Sequence, residues 1–276
     1  MWTGTPLGIL RHITYLTPAI RTMIEKKADT NVKTALRVIE IIEVFARETK
    51  PLSLSELARH LDAPVSSCLA LLRTLASLGY LYEAGRRQGY YPTGRLLAMA
   101  QRISKADPIL GKVLPSLEEL RDTTCETVVF AKLDLMSKRV VYLDVLASPH
   151  PISYVAVAGS QRDIHANSLG KALLSTLGGE ERRALLSGLK LQAYNKRTLV
   201  TPEAIEADIQ ASLERGWFAN LGESIMEDVG AIAWPLKVSG NDYAISVAGP
   251  LYRIESHVED HAKKLRVACR FMEQNI

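Results

Sequence analysis

The sequence predicts an α+β protein in two parts: a small winged helix-turn-helix, then a linker helix and a larger antiparallel-sheet domain with helices packed on it. Three observations carry that prediction. A capped helix, a short break and a second helix run from residue 53 to Gly79 and lead straight into an aromatic-rich hairpin. Hydrophobic periodicity changes from 3.6 to 2 near residue 126 and later reverts. The length, 276 residues, suggests two domains more readily than one. The expected boundaries are an N-terminal extension at 1–30, a winged helix at 31–94, a linker helix at 95–112 and the larger domain at 113–276.

Residues 1–30 contain Gly4, Pro6, Gly8 and Pro18, which interrupt any regular pattern. They read either as a mobile tail or as an arm that packs on a partner subunit or on DNA. Asn31 is placed to cap the first long helix, whose stripe is Val32, Ala35, Leu36, Ile39, Ile42, Phe45 and Ala46. Lys33 near its start is either a phosphate contact or a solvated charge. Ser53 with Glu56 forms a capping box for a short helix carrying Leu54, Leu57, Ala58 and Leu61. Asp62-Ala63-Pro64 breaks and restarts the chain, because proline fits a helix's first turn. The second helix is expected to send Val65, Leu69, Leu72, Leu75, Ala76 and Leu78 inward and to stop at Gly79. Two aromatic strands then flank a loop whose tip carries Arg86 and Arg87. In a winged helix-turn-helix the second helix enters the DNA major groove and the wing touches the backbone or minor groove. The expected DNA contacts are Lys33, Ser53, Ser66, Ser67, Arg73, Arg86 and Arg87. The competing reading is a small protein-interaction module, which leaves the two arginines at the tip without a purpose.

Residues 95–103 form a helical run with no strand signal, and Asp107-Pro108 marks its end or a kink. An amphipathic helix over 113–122 opens the larger domain. Period-2 runs at 126–133, 139–146 and 152–158 predict three strands joined by turns, so antiparallel pairing is expected. Helices follow at 168–177, 179–186 and 202–215, then strands at 229–238 and 243–248, and a last helix at about 254–273. An antiparallel sheet carrying helices on its faces is a sensor-like α+β arrangement.

Net charge is +4, too mild by itself to show a nucleic-acid partner. Its distribution says more. Residues 31–95 hold nine Lys and Arg against six Asp and Glu, whereas residues 96–276 hold 21 against 22. The positive excess lies where phosphate would be met. Cys68, Cys125 and Cys269 are scattered and odd in number, which argues against a disulfide framework or cysteine zinc site and for a reducing cytoplasm. No apolar run reaches 18 residues and no signal peptide is evident, so no membrane association is expected.

Catalytic and metal motifs do not assemble. Ser168 to Lys171 matches S-x-x-K, but the companion S-D-N and K-T-G elements are absent. Gly170-Lys171 lacks the glycine five residues earlier and the following Ser or Thr of a phosphate loop. His257 and His261 are four apart, yet Val258 replaces the glutamate of H-E-x-x-H and no third ligand is suggested. No enzyme activity and no cofactor are expected. Asn167 or Ser168 caps a helix whose unpaired N–H groups and dipole make a ready carboxylate site, or simply an ordinary capped helix. Gly170 permits close approach of backbone or ligand. Arg162 is either a partner for an anion or a solvated arginine. Glu223 either orients a ligand, satisfies a backbone donor or lies in a surface loop.

Together these stretches resemble the IclR family of bacterial transcriptional regulators. The likeness lies in residues 52–61, Pro64 with Ser66 and Ser67, 71–75 (L-L-R-T-L), and Gly79-Tyr80. It continues in 165–174 (H-A-N-S-L-G-K-A-L-L), 215–217 (R-G-W), Glu223, 231–235 (A-I-A-W-P) and 246–250 (S-V-A-G-P). The resemblance implies a GAF-like effector domain, a homodimer or dimer of dimers, double-stranded operator DNA with a palindromic site, and a small organic-acid or aromatic effector. Carried over by position, the effector pocket involves Tyr154, Arg162, Ser168, Leu169, Asn220 or Leu221, Val229, Ala231, Ser246 and Ala248. Ala231 and Ala248 are apolar where some members are polar, which suggests a larger or more aromatic ligand than a two- or three-carbon acid. Ala70 stands where the family usually has a basic residue, and Arg73 one turn later can compensate. Effector-driven motion would pass through the helix at 95–105 to the spacing of two winged helices.

Overall fold

The computed structural model describes residues 32–85 and 89–276; the 1–30 extension, Asn31 and the Arg86 and Arg87 tip lie outside the described residues. The chain divides into two units at Ala106 and Asp107.

Among its described residues, the first unit has three helices and a hairpin, followed by a fourth helix. Helix α1 (Lys33–Glu48) has Val32 at its cap position with no side-chain bond, and it ends on Thr49 at φ 51°. Helix α2 (Leu54–His60) begins with the Ser53–Glu56 capping box, whose bonds run both ways. Helix α3 (Val65–Ser77) follows Pro64 and closes on Gly79 at φ +77°. Strands β1 (Leu81–Glu83) and β2 (Tyr90–Pro92) pair antiparallel, and Leu52 bridges to Tyr90. Ile41, Phe45, Leu52, Leu57, Cys68, Leu72 and Leu81 form the core. Two expected stripes are displaced. On α1 the buried residues are Ile41, Val44 and Phe45, while Val32 and Ile39 are exposed. On α3, Val65 and Leu78 are exposed and Cys68 takes the inward place. Both helices carry apolar residues on more than one face, so periodicity alone does not choose the buried one.

The helix expected over 95–112 is two helices. Helix α4 (Arg95–Lys105) stops, and α5 (Pro108–Thr124) starts five residues before the expected Val113. The reason is local: Asp107 is extended at ψ 117°, as a residue before proline prefers, and its carboxylate accepts from the Ile109 and Leu110 amides.

The second unit is built on one antiparallel sheet of order β5-β4-β3-β8-β7-β6. The strands are β3 (Thr127–Asp134), β4 (Arg139–Leu146), β5 (Gln161–Arg162), β6 (Phe218–Leu221), β7 (Val229–Val238) and β8 (Asn241–Pro250). Ser239 and Gly240, both at positive φ, make the tight turn between β7 and β8. One face packs on α5, α9 (Leu251–Ser256) and α10 (Val258–Asn275), with Phe130, Ile245, Leu265 and Met272 at its centre. The other packs on α6 (Ser168–Thr176), α7 (Gly179–Ser187) and α8 (Pro202–Arg215), around Val129, Leu173, Ile205 and Phe218. Three expectations are corrected. Residues 152–158 form no strand, because no neighbour accepts their ladder bonds. β5 and β6 were too short to register as alternation. The last helix breaks at His257 (φ −126°) into α9 and α10. No helix among the described residues is long and apolar enough to cross a membrane.

Candidate functional site

Helix α3 offers a polar face to solvent. Ser66, Ser67, Ala70, Arg73, Thr74 and Ser77 are all exposed, opposite the buried Cys68, Leu72 and Leu75. Thr74 and Ser77 spend their hydroxyls on carbonyls one turn back. Among the described residues, Ser66, Ser67 and Arg73 have no side-chain hydrogen bond or ion pair and are free to meet another surface. Lys33 is likewise exposed at the start of α1. Ser53 is engaged in the α2 cap, where its hydroxyl meets Glu56 at 2.7 Å. The structure therefore gives Ser53 a capping role first.

The second unit holds a cavity of about 90 Å³ between the start of α6 and the sheet. That is well above the roughly 10–15 Å³ that a single water needs. It exists because the sheet residues facing α6 there are small: Ala231 pairs with Ala248, and Ser246 lies beside them. Tyr154, Arg162, Ser168, Asn220, Val229, Ala231, Ser246 and Ala248 all line it, as expected from the sequence.

Three expected residues do not line it. Leu169 is a core residue, 1% exposed. Gly170 is required by packing, since a Cβ there would collide with the Ile164 carbonyl. Glu223 points to Lys171, which is fully buried and donates to Glu223 at 2.6 Å and to the Ala219 carbonyl at 2.9 Å. Asp208 adds an ion pair at 3.0 Å without hydrogen-bond geometry. Burial raises the Glu223 carboxyl against the opposing pull of Lys171. The pair anchors the strand end from which Ser224, Ile225 and Met226 reach over the cavity. Asn220, and not Leu221, is the pocket residue of that alternative; its side chain donates to Ala166 and accepts from the Glu223 amide.

The sequence missed Tyr142, Asp163 and Tyr194, and it named Asn167 only as one of two possible caps of the helix. Tyr142 and Tyr154 meet with hydroxyls 3.4 Å apart, and burial pushes the Tyr142 phenol up. Asn167 caps α6 through the Leu169 amide and donates to the Tyr142 hydroxyl. Asp163 is bound by Arg139 and by the Tyr194 hydroxyl. Arg162 lies 5.3 Å over the Tyr142 ring and donates only to the carbonyl of Gln161. Two features remain uncompensated. Among the described residues, Arg162 has no carboxylate partner, and the Ser168 hydroxyl, in a residue 1% exposed, has no hydrogen-bond partner. Both face the cavity at the N-terminal end of α6, where first-turn amides and the dipole favour negative charge.

Known proteins are similar to this chain in sequence and fold. Residues 34–85 match the IclR helix-turn-helix domain, and residues 101–272 match the C-terminal domain of bacterial transcriptional regulators of the IclR type. The transcriptional repressor IclR of Escherichia coli is 26% identical over 238 residues, covering 86% of each chain. A transcriptional regulator from a Rhodococcus species has the same fold, with TM-score 0.77 and 24% identity over 88% of this chain and 98% of its own. An IclR homologue from Microbacterium hydrocarbonoxydans, solved in complex with 4-hydroxybenzoate, matches at TM-score 0.73 and 25% identity over the same shares. A helix-turn-helix unit with an exposed polar face on its second helix, an antiparallel-sheet domain and matches to both family domains give one conclusion: the chain belongs to the IclR family of DNA-binding bacterial transcriptional regulators.

Proposed function

We propose that this regulator senses a small organic anion in the α6 cavity and changes its grip on operator DNA in response. It acts as a homodimer or dimer of dimers in the cytoplasm, and it carries out no catalytic step. The observation that carries the effector reading is the buried, unpartnered Ser168 hydroxyl beside the uncompensated Arg162. A carboxylate there would meet a hydroxyl, a helix N-terminus and a guanidinium together. Tyr142, Tyr154, Tyr194, Val229, Ala231 and Ala248 add aromatic and aliphatic surface beside the polar Asp163, Asn167, Asn220, Ser224 and Ser246, and that surface suits a monocyclic aromatic acid better than a two-carbon acid. The relative bound to 4-hydroxybenzoate is of that kind. Lys33, Ser66, Ser67 and Arg73 are the proposed DNA contacts within the described residues, with Arg86 and Arg87 at the wing tip. An effector shifts DNA binding only through different affinities for two states of the protein.

A thermal-shift series with aliphatic and aromatic carboxylates tests the pocket. An aromatic acid should raise Tm, and Ser246→Trp, which fills the cavity, should abolish the shift while leaving the fold intact. A full shift in that variant removes Ser246 from the site. Gel-shift titration on the DNA upstream of the protein's own coding region, with and without the acid, tests the response.

A further inference from the structure

Residues 152–158 alternate as a strand does, yet the structure leaves them without a strand neighbour. Among the described residues, the six consecutive amides of residues 153–158 donate to no group. Three carbonyls are taken: Ile152 by Arg253, Tyr154 by the Thr127 hydroxyl, and Val157 by the Ser160 amide. Both backbone groups of Ser153 and Val155 are free. Side chains alternate in step: Tyr154 and Ala156 pack on the core, whereas Val155 and Val157 are 78% and 67% exposed. A run of unpaired amides beside exposed β-branched residues is the chemistry that adds an extended strand.

We propose that this segment pairs antiparallel with the same segment of a second copy. The inference rests on the oligomeric reading above and names its interface. A second copy is favoured because residues 151–159 carry no charge, so self-pairing sets no like charges against each other. A two-fold at Ala156 places Val155 opposite Val157 of the second copy twice. Val155 and Val157 of the two copies then form a hydrogen-bonded pair on the edge away from Thr127, with the Val157 carbonyl accepting a second bond beside that from the Ser160 amide. Tyr154 joins this segment to the cavity, so occupant and interface share one stretch of backbone.

Light scattering after gel filtration of the full chain tests this. Val155→Pro removes an amide that no group in the chain uses, and it should halve the mass seen for the unaltered protein. The double variant V155K/V157K sets lysine opposite lysine on side chains that are exposed in one copy, and it should give the same halving. Folding of each variant is checked by retention of the thermal transition. An unaltered protein of two or four copies whose mass both variants keep overturns this interface and leaves the oligomeric reading standing. A monomeric unaltered protein that still binds its operator overturns both.

Discussion

Lys171 has no solvent-exposed surface, and its amine is held by the Ala219 carbonyl, Glu223 and Asp208. Removing one member of a buried ion pair strands the other, at a cost of about 3–5 kcal/mol. Lys171→Met should fall near the low end, because Asp208 keeps 22% of its side chain exposed. Urea unfolding at neutral pH measures it, and a loss below about 1 kcal/mol would show that the pair is replaceable. The motif spacing exposed this lysine in the sequence. Its partners were not legible, since Asp208 and Glu223 lie 37 and 52 residues away and come together only through the sheet. His261 is a second residue with a buried titration. It is 4% exposed, neither ring nitrogen is hydrogen-bonded, and burial lowers its pKa from 6.5. Glu126 and Asp260 pull the other way, while His257 and Lys264 reinforce the shift. A His whose folded pKa lies below its unfolded value loses stability as pH falls through 6.5, because the unfolded chain takes up the proton first. Burial lowers His165 as well, so it adds to the loss. His261→Leu should therefore shrink, but not abolish, the drop in urea midpoint between pH 7.5 and 5.5. An undiminished drop would mean that His261 titrates like a free imidazole.

Helix α3 shows what an element's sequence reveals and hides. Its start at Pro64, its end at Gly79 and the capped helix before it were all readable, because each is a local backbone requirement. Its inward face was readable only in part. Leu72 and Leu75 are buried as expected, but Val65 and Leu78 at the two ends reach past the small core, and Cys68 fills the place between α2 and β1. The 152–158 run failed for a related reason: alternation reports one apolar face, not the presence of a neighbour to accept ladder bonds. The outward face of α3 yields the prediction at this scale. Arg73 is exposed and unpaired, so on DNA it is a phosphate contact by default. Arg73→Ala should weaken binding to all duplexes and lower the slope of log affinity against log salt by about 1. A change confined to one base position, with the slope kept, would make Arg73 a base reader instead. Folding should be unaffected, since the side chain is exposed and makes no hydrogen bond or ion pair among the described residues.

The whole chain divides its labour between two cores. The first unit closes around Leu52, Leu57 and Leu72, and the second around the two faces of its six-stranded sheet. That division was legible in composition and period, because the basic excess and the winged-helix signals stop before the alternating runs begin. The cavity was legible only where a motif carried it. Ser168 and Ser246 sit in family-like runs, whereas Tyr142, Asp163 and Tyr194 come from segments whose meeting depends on sheet order. Every residue lining the cavity lies between 142 and 248, inside the second unit. Its floor, its helix cap and the Lys171 anchor need nothing from residues before Asp107. Residues 107–276 expressed alone should therefore fold and show the same thermal shift with an aromatic carboxylate as the full chain, within about 1 °C. DNA binding should be lost completely, since the exposed face of α3 is gone. Calorimetry with the same acid gives the comparison in solution: equal affinity in fragment and full chain places recognition wholly in this unit. A tenfold weaker fragment, about 1.4 kcal/mol, would show that the first unit contributes to the binding-competent state.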